Sequence, residues 1–322
     1  IVKFLELENR FKQYVGTDYC VSTNTGTSSL HLALESLNLP HDSEVIVPEF
    51  TMVATAWAVY YARLKPVFID CTDNLLINTD LIESSVTSKT KVIMVTHVYG
   101  RVVNMDAIIK IAQKYNLRVI EDCAEAHGAF YNKTHVGSYD IGCFSFYRNK
   151  IVCGEEGGAI TTNDKTVYEM SKDMKSMSFG KKHNFQHDQI GFNYRMTNTQ
   201  ANLILNSLDN IKQNIKRREE IANLYDRELS HDIIMPPREV VWVYDINVPH
   251  KVKDALVEYL NNKGIAARHS FKPMSEQYPF NKSNSAINST NAFKLSTAVC
   301  YLPADPTLSD DEVINICKLV NS

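Results

Sequence analysis

Lys150 closes the stretch SFYRNK, five residues after Ser145 and shortly before the glycine pair of GEEGG. The apolar run DIGCF leads into it, so this lysine stands just past a predicted buried strand. A lysine beside a core usually has a partner or a task. Among apolar groups its ammonium is disfavoured, which helps it act as nucleophile and base. Taken alone, the segment also reads as a surface turn with a solvated lysine, the commoner case for a single lysine. Asp122 ends a strand-like run in VIEDCAEAHGA. A buried carboxylate there needs a cationic partner. A structural ion pair, a helix cap or the protonated ring nitrogen of a cofactor would each meet that need. Gly26-Thr27-Ser28 opens a helix directly after a strand. Free amides at a helix N-terminus, with the helix dipole behind them, bind phosphate, and glycine lets the anion approach. On its own the same tripeptide reads as a plain Thr or Ser cap. His97, in THVYG, reads as a hydrogen-bonded histidine at the core edge, with no catalytic role.

These residues need a scaffold that brings strand ends together. From about residue 18 to 162 short β-branched runs (YCVST, EVIVP, PVFID, KVIMVTH, LRVIED, DIGCFSF, GGAITT) alternate with helical patterns. Continuous apolar strands indicate a sheet covered on both faces, and the alternation predicts an α/β fold with a mostly parallel sheet. In such sheets ligands gather at the carboxyl ends of the strands. One long helix is expected over 198–229, on the stripe Ala201, Ile204, Leu205, Leu208, Ile211 and Ile215. MPPREV breaks the chain near 235. Beyond it a strand VVWVYDINV, a helix from about 250, a loop over NKSNSAINST and a last helix form a smaller α/β domain. The expected division is 1–230, the long helix included, and 231–322. IKRREE at 215–220 is the wet face of the long helix.

The composition, 44% hydrophobic and 22% charged, is that of a globular protein, and the net charge of −3 gives no bulk-basic signal for nucleic acid. No apolar run approaches a membrane span and no signal peptide is visible. The chain opens at Ile1, so a start upstream is expected. Seven cysteines without a C-x-x-C pair read as reduced core thiols of a cytoplasmic protein, and no metal site is expected.

A phosphate nest, a strand-end Asp, a Ser and a Lys together fit one ligand carrying a phosphate, a ring nitrogen and an aldehyde. That ligand is pyridoxal 5′-phosphate. At this point the chain resembles a known family, the DegT-type sugar aminotransferases, fold-type I enzymes that use this cofactor. The stretches that carry the resemblance are NTGTSSLHLAL, VPEFTMVATAWAV, VTHVYG, VIEDCAEAHGA, VGSYDIGCFSFYRNK, GEEGGAITTND, IGFNYRMTNTQANL, GIAARHSFKPM and LSTAVCYLPADPTLSDDEV. They occur in family order over nearly the whole chain. NYRMTN is most like the branch that makes 4-amino-4,6-dideoxy sugars, such as perosamine synthases.

The resemblance implies the following roles. Lys150 is the Schiff-base lysine and Asp122 the pyridinium partner. Glu125 stands beside the ring hydroxyl, where many members have Gln and some Glu. Ser145 and the amides of Gly26, Thr27 and Ser28 hold the phosphate. Asn193 reaches the phosphate of the neighbouring subunit's cofactor, which implies a homodimer with shared sites. Arg268 lies in a segment that lines the nucleotide-sugar site, and Tyr147 is the one expected pocket aromatic. The implied substrates are L-glutamate and a nucleotide-linked keto sugar. Met52 departs from the aromatic ring common at its position, and methionine still covers a cofactor face. Glu155 replaces a common glycine and is expected to bring a carboxylate near the cofactor. The segment 229–245 reads as shorter than in relatives. A sugar dehydratase of the same fold has histidine in place of the lysine, so Lys150 argues against it. The set Lys150, Asp122 and Ser145 argues against a cofactor-binding homologue without activity.

Overall fold

The computed structural model describes residues 2–180, 185–282 and 290–322. Its large sheet is built from β1 (Tyr19–Thr23), β2 (Glu44–Pro48), β3 (Lys65–Ile69), β4 (Thr90–Thr96) and β5 (Arg118–Asp122). After a short hairpin, β6 (Phe130–Tyr131) and β7 (Thr134–His135), come β8 (Ile141–Ser145) and β9 (Gly158–Thr162). The order is β1-β9-β8-β5-β4-β2-β3. Only β9 runs against the others, antiparallel to both β1 and β8. All remaining pairs are parallel. The carboxyl ends of β1, β5 and β8 therefore meet at one edge, with the start of β9 between β1 and β8.

The sheet is apolar on both faces, as its continuous strands demand. Val45 and Val47 join one core cluster with Val92, Met94 and Ile120. Ile46 points the other way, into a cluster with Phe11, Ile93, Val95 and Phe144. Helices α1 (Lys3–Val15), α2 (Gly26–Ser36), α3 (Val53–Tyr61), α4 (Met105–Tyr115) and α5 (Lys165–Met174) cover these faces. α1 buries Leu7, Phe11 and Val15, a four-residue repeat at the chain start that forms a helix the sequence reading did not single out.

The single helix expected over 198–229 is two helices, α6 (Asn198–Asp209) and α7 (Ile211–Glu228). The break is at Asn210, whose side-chain amide donates to the Asn206 carbonyl at 2.8 Å. Its backbone N–H closes instead on Ser207 at 3.1 Å. A side chain that competes for a helical carbonyl lets the turn tighten and restart. The apolar stripe survives because both helices face the same core.

β10 (Tyr244–Asn247), α8 (His250–Asn262), β11 (Arg268–His269), α9 (Thr290–Ala298), β12 (Val299–Leu302) and α10 (Asp310–Asn321) complete the chain. The three strands form an antiparallel sheet in the order β10-β12-β11. Its core takes in Ile221 and Tyr225 of α7, which precede the expected division at 230. The strand expected over 240–248 pairs only from Tyr244; Trp242 and Val243 lie in a bend. Most of the loop expected over NKSNSAINST lies outside the described residues.

One buried ionic cluster joins the two sheets. Arg101, just after β4, places Nη1 2.9 Å and Nη2 3.2 Å from the carboxylate of Asp245 in β10. Arg238 donates to the same carboxylate at 2.9 Å. All three side chains are buried or nearly so. Asp245→Ala strands two guanidinium groups and should cost about 3–5 kcal/mol. The urea midpoint would show it; a midpoint equal to that of the parent would remove this cluster from the account of stability.

Candidate active site

The N-terminus of α2 is both a cap and a cradle. Thr25 Oγ1 accepts the Ser28 N–H at 3.0 Å, and the first intrahelical bond runs from Ser29 N–H to the Thr25 carbonyl at 3.1 Å. That leaves the Gly26 and Thr27 amides without a partner among the described residues. Ser28 is spent on the cap: its hydroxyl also lies 2.8 Å from Thr25 Oγ1, and it is buried behind the cavity wall formed by Thr25, Gly26 and Thr27. Ser145, at the end of β8, faces this turn. A Cβ built on Gly26 would sit 2.6 Å from the Ser145 Cβ, so only glycine permits the approach.

Asp122 ends β5 and is buried. Thr55 Oγ1 donates to its Oδ2 at 2.7 Å and the Ala124 N–H to its Oδ1 at 3.1 Å. No Lys, Arg or His forms an ion pair with it among the described residues. Burial raises its carboxyl above the ordinary aspartate range, and these hydrogen bonds offset only part of that rise. A carboxylate in this position is suited to an incoming cation.

Lys150 sits on the turn that follows β8. Phe146 and Gly157 close that turn with a 2.8 Å backbone bond, and the Lys150 N–H donates to Tyr147 at 2.8 Å. α6 braces it from behind: Ser207 Oγ accepts the Cys153 N–H at 3.0 Å, and Gly154 packs where a Cβ would lie 2.3 Å from Ile204. The Lys150 side chain is 10% exposed, with Nζ 3.8 Å from Glu125 Oε1. Glu125 Oε2 accepts the Tyr99 N–H at 2.9 Å. Burial pushes the Glu125 carboxyl up to about 7 and the Lys150 ammonium down, each charge partly offsetting the other's loss of water. His127 is buried among Phe144 and Phe146, and burial brings it down to about 3, so its imidazole is neutral.

These groups share one cavity of about 460 Å³, with Gly26, Thr27, Met52, Asp122, Glu125, Ser145, Tyr147 and Lys150 on its wall. Asn193, Arg268 and Glu155 stand apart from it. Asn193 is exposed and forms an isolated bridge with Ser176. Arg268 is exposed in β11, with Nη1 3.2 Å from Asn261 Oδ1. Glu155 is exposed at φ 65° and is not on the cavity wall, where its neighbour Glu156 stands. His97 fits its structural reading, accepting the Val103 N–H at 3.2 Å on Nδ1 and meeting Glu121 at 3.1 Å with Nε2.

The profile of the DegT/DnrJ/EryC1/StrS aminotransferase family matches residues 3–321. The chain belongs to this family. It is 34% identical over 325 residues to the GDP-perosamine synthase of Escherichia coli O157:H7, spanning 98% of this chain and 88% of that protein. It is 32% identical over 326 residues to the dTDP-3-amino-3,6-dideoxy-alpha-D-galactopyranose transaminase of Aneurinibacillus thermoaerophilus, spanning 98% and 89%. Among solved structures it resembles Helicobacter pylori PseC, an aminotransferase involved in the biosynthesis of pseudoaminic acid. The TM-score is 0.93 at 26% identity, over 99% of this chain and 90% of that one.

Sequence reading of this aminotransferase missed Trp242, Phe271 and Tyr301, aromatic residues of the same cavity wall. They come from the C-terminal part, and no local pattern ties them to Lys150; only the rarity of tryptophan, two in the chain, marks Trp242. It also missed Thr55, whose bond to Asp122 crosses 67 positions of sequence.

Gly26→Ala drives a methyl into Ser145. Binding of pyridoxal phosphate, the cofactor expected from the sequence, should weaken by about ten- to a hundredfold in an absorbance titration. Affinity within twofold of the parent would exclude this turn as the phosphate site. Glu125→Gln removes an anion that holds the Lys150 ammonium in place. The pH midpoint at which Lys150 becomes reactive toward acetic anhydride should therefore fall, and a midpoint that stays or rises would contradict the pairing.

Proposed function

We propose that this aminotransferase moves the amino group of L-glutamate to the carbonyl of a nucleotide-linked 4-keto-6-deoxy sugar, using pyridoxal 5′-phosphate carried by Lys150. One observation carries the reading: a desolvated lysine, a buried carboxylate and a helix N-terminus, the last two without an ion-pair or amide partner among the described residues, open on a single cavity. These three features fit the aldehyde, ring nitrogen and phosphate of that cofactor. The sugar class rests on the relatives, whose names place a sugar on GDP in one case and dTDP in the other. The 4-position follows the likeness of NYRMTN to the 4-amino branch.

When bound, pyridoxal phosphate supplies an aldehyde for the amine and a protonated ring that takes up the electrons released at the donor's α-carbon. Lys150 would hold the group through Nζ and, once displaced from it by the donor's amine, would serve as the base that takes the α-proton and the acid that returns it. A lysine held below its ordinary pKa by burial is suited to both tasks. Asp122 would keep a proton on the ring nitrogen, Gly26, Thr27 and the Ser145 hydroxyl would hold the phosphate, and Met52 would cover a face of the ring. Glu125 holds charge beside Lys150.

The working unit is proposed to be a homodimer. Asn193 is exposed and away from its own chain's cavity, which suits a side chain that completes a second copy's site. Arg268 is assigned to the sugar nucleotide on the resemblance alone. Among the described residues no helix is long and apolar enough to cross a membrane. A cytoplasmic setting is part of the proposal and fits seven unpaired cysteines.

The cofactor-loaded protein should show a visible band that fades with L-glutamate and returns with one nucleotide keto sugar. Lys150→Ala should lose the band and reduce turnover by about 10²–10⁴-fold or more. Amino-sugar formation by that variant at the parent's rate would overturn the mechanism.

A further inference from the structure

Trp242 lies against the reactive lysine. Lys150 Nζ lies 3.6 Å from the centroid of its ring, inside the range for an ammonium over an aromatic face. Glu125 Oε1, at 3.8 Å, is beyond hydrogen-bond distance. Among the described residues no oxygen accepts a hydrogen bond from Nζ. An ammonium in this place, with its side chain 10% exposed, has given up most of its water and meets an indole face first.

Trp242 is anchored at its indole and at its backbone. Its Nε1–H donates to the carbonyl of Asn149, the residue before Lys150, at 2.8 Å. Its own carbonyl accepts from Arg218 Nη1 at 2.7 Å, and the same nitrogen reaches the Ala304 carbonyl at 2.9 Å. Three residues on, Asp245 is clamped by Arg101 and Arg238. Arg218 is buried without a carboxylate partner among the described residues, so its charge is spent on two backbone carbonyls, one of them Trp242's. That is a costly way to place one tryptophan unless its orientation matters.

We propose that Trp242 is a positioning residue whose indole face seats the ε-ammonium of Lys150 whenever Nζ is not covalently engaged. The seat keeps the released charge on the cavity wall, beside Glu125, instead of in solvent. This inference rests on the reading of Lys150 as the cofactor-bearing lysine. The other titratable groups that face Lys150 are Glu125, Asp122 and His127, with Glu156 and Tyr301 on the same cavity wall. All are retained in the variants that test the seat.

Two measurements on the full-length, cofactor-free chain decide it. The first follows acetylation of Lys150 by acetic anhydride against pH, read on its peptide by mass spectrometry. Trp242→Leu keeps an apolar wall and removes the aromatic face, so the Lys150 midpoint should fall by about one pH unit, and Trp242→Phe should shift it less. A midpoint that is unchanged or raised in Trp242→Leu overturns the seat. The second leaves Trp242 in place, so it stands even if that variant does not fold. With Trp57→Phe, Trp242 is the one remaining fluorophore of its kind. Its emission should titrate with pH, and the transition should vanish when Lys150→Met is added. A transition that persists without the lysine overturns the proposal. Failure to form a visible band with pyridoxal phosphate would instead remove the function proposed above, an outcome read in a separate assay.

Discussion

An ammonium stripped of water has to find compensation in the protein, and at Lys150 it comes from two sources of different kinds. Glu125 offers charge at 3.8 Å without a hydrogen bond, and Trp242 offers the face of a π-system at 3.6 Å. Neither equals hydration, so burial holds the lysine below its ordinary pKa. Glu125 is buried as well, and its carboxyl rises to about 7. The pair is a store of unsatisfied electrostatics, tolerable because the rest of the molecule is tightly held around it. Such stored cost is characteristic of sites where chemistry occurs.

What holds the pair in place is mostly backbone geometry. The carboxyl ends of β1, β5 and β8 deliver Thr25, Asp122 and Ser145 to one edge, and the reversed β9 lets Gly158 lie against both Thr23 and Ser145. Close approach is achieved by omission of side chains. Gly26 makes room for Ser145, and Gly154 makes room for α6 against the lysine turn. The anion cradle follows from an ordinary helix start. Thr25 takes the Ser28 amide, so only the first two amides remain to point into the cavity.

Part of the wall comes from the C-terminal segments around the other sheet. Trp242, Phe271 and Tyr301 reach the cavity from residues beyond α7, and the Arg101–Asp245–Arg238 cluster locks that part to the end of β4. A site divided in this way depends on the docking of two packed bodies as much as on any single residue. The buried ionic cluster favours one register between them, since the guanidinium fork accepts few geometries.

Much of this was legible along the chain. Continuous β-branched runs gave away a sheet buried on both faces, because such strands have no polar side to show water. Lys150, Asp122, Ser145 and Gly26 could be singled out because each ends or follows a strand, and strand ends are where an α/β sheet holds ligands. Those are local signals, written within a few residues of each position. The break at Asn210 escaped notice because the apolar stripe continues across it and only a side-chain bond to Asn206 marks the stop. The start of the paired strand at Tyr244 escaped notice because Trp242 is drawn aside by partners at Asn149 and Arg218. Which glutamate of GEEGG meets the cavity was decided by the turn, which takes Glu155 through a left-handed conformation and leaves Glu156 on the wall. The sequence by itself determined the fold class and the family, and it marked the candidate residues for the chemistry. The tertiary structure alone decided that Lys150 is desolvated and that an indole lies on it. Burial and π-contact depend on which distant segments share a volume, and no spacing along the chain encodes that.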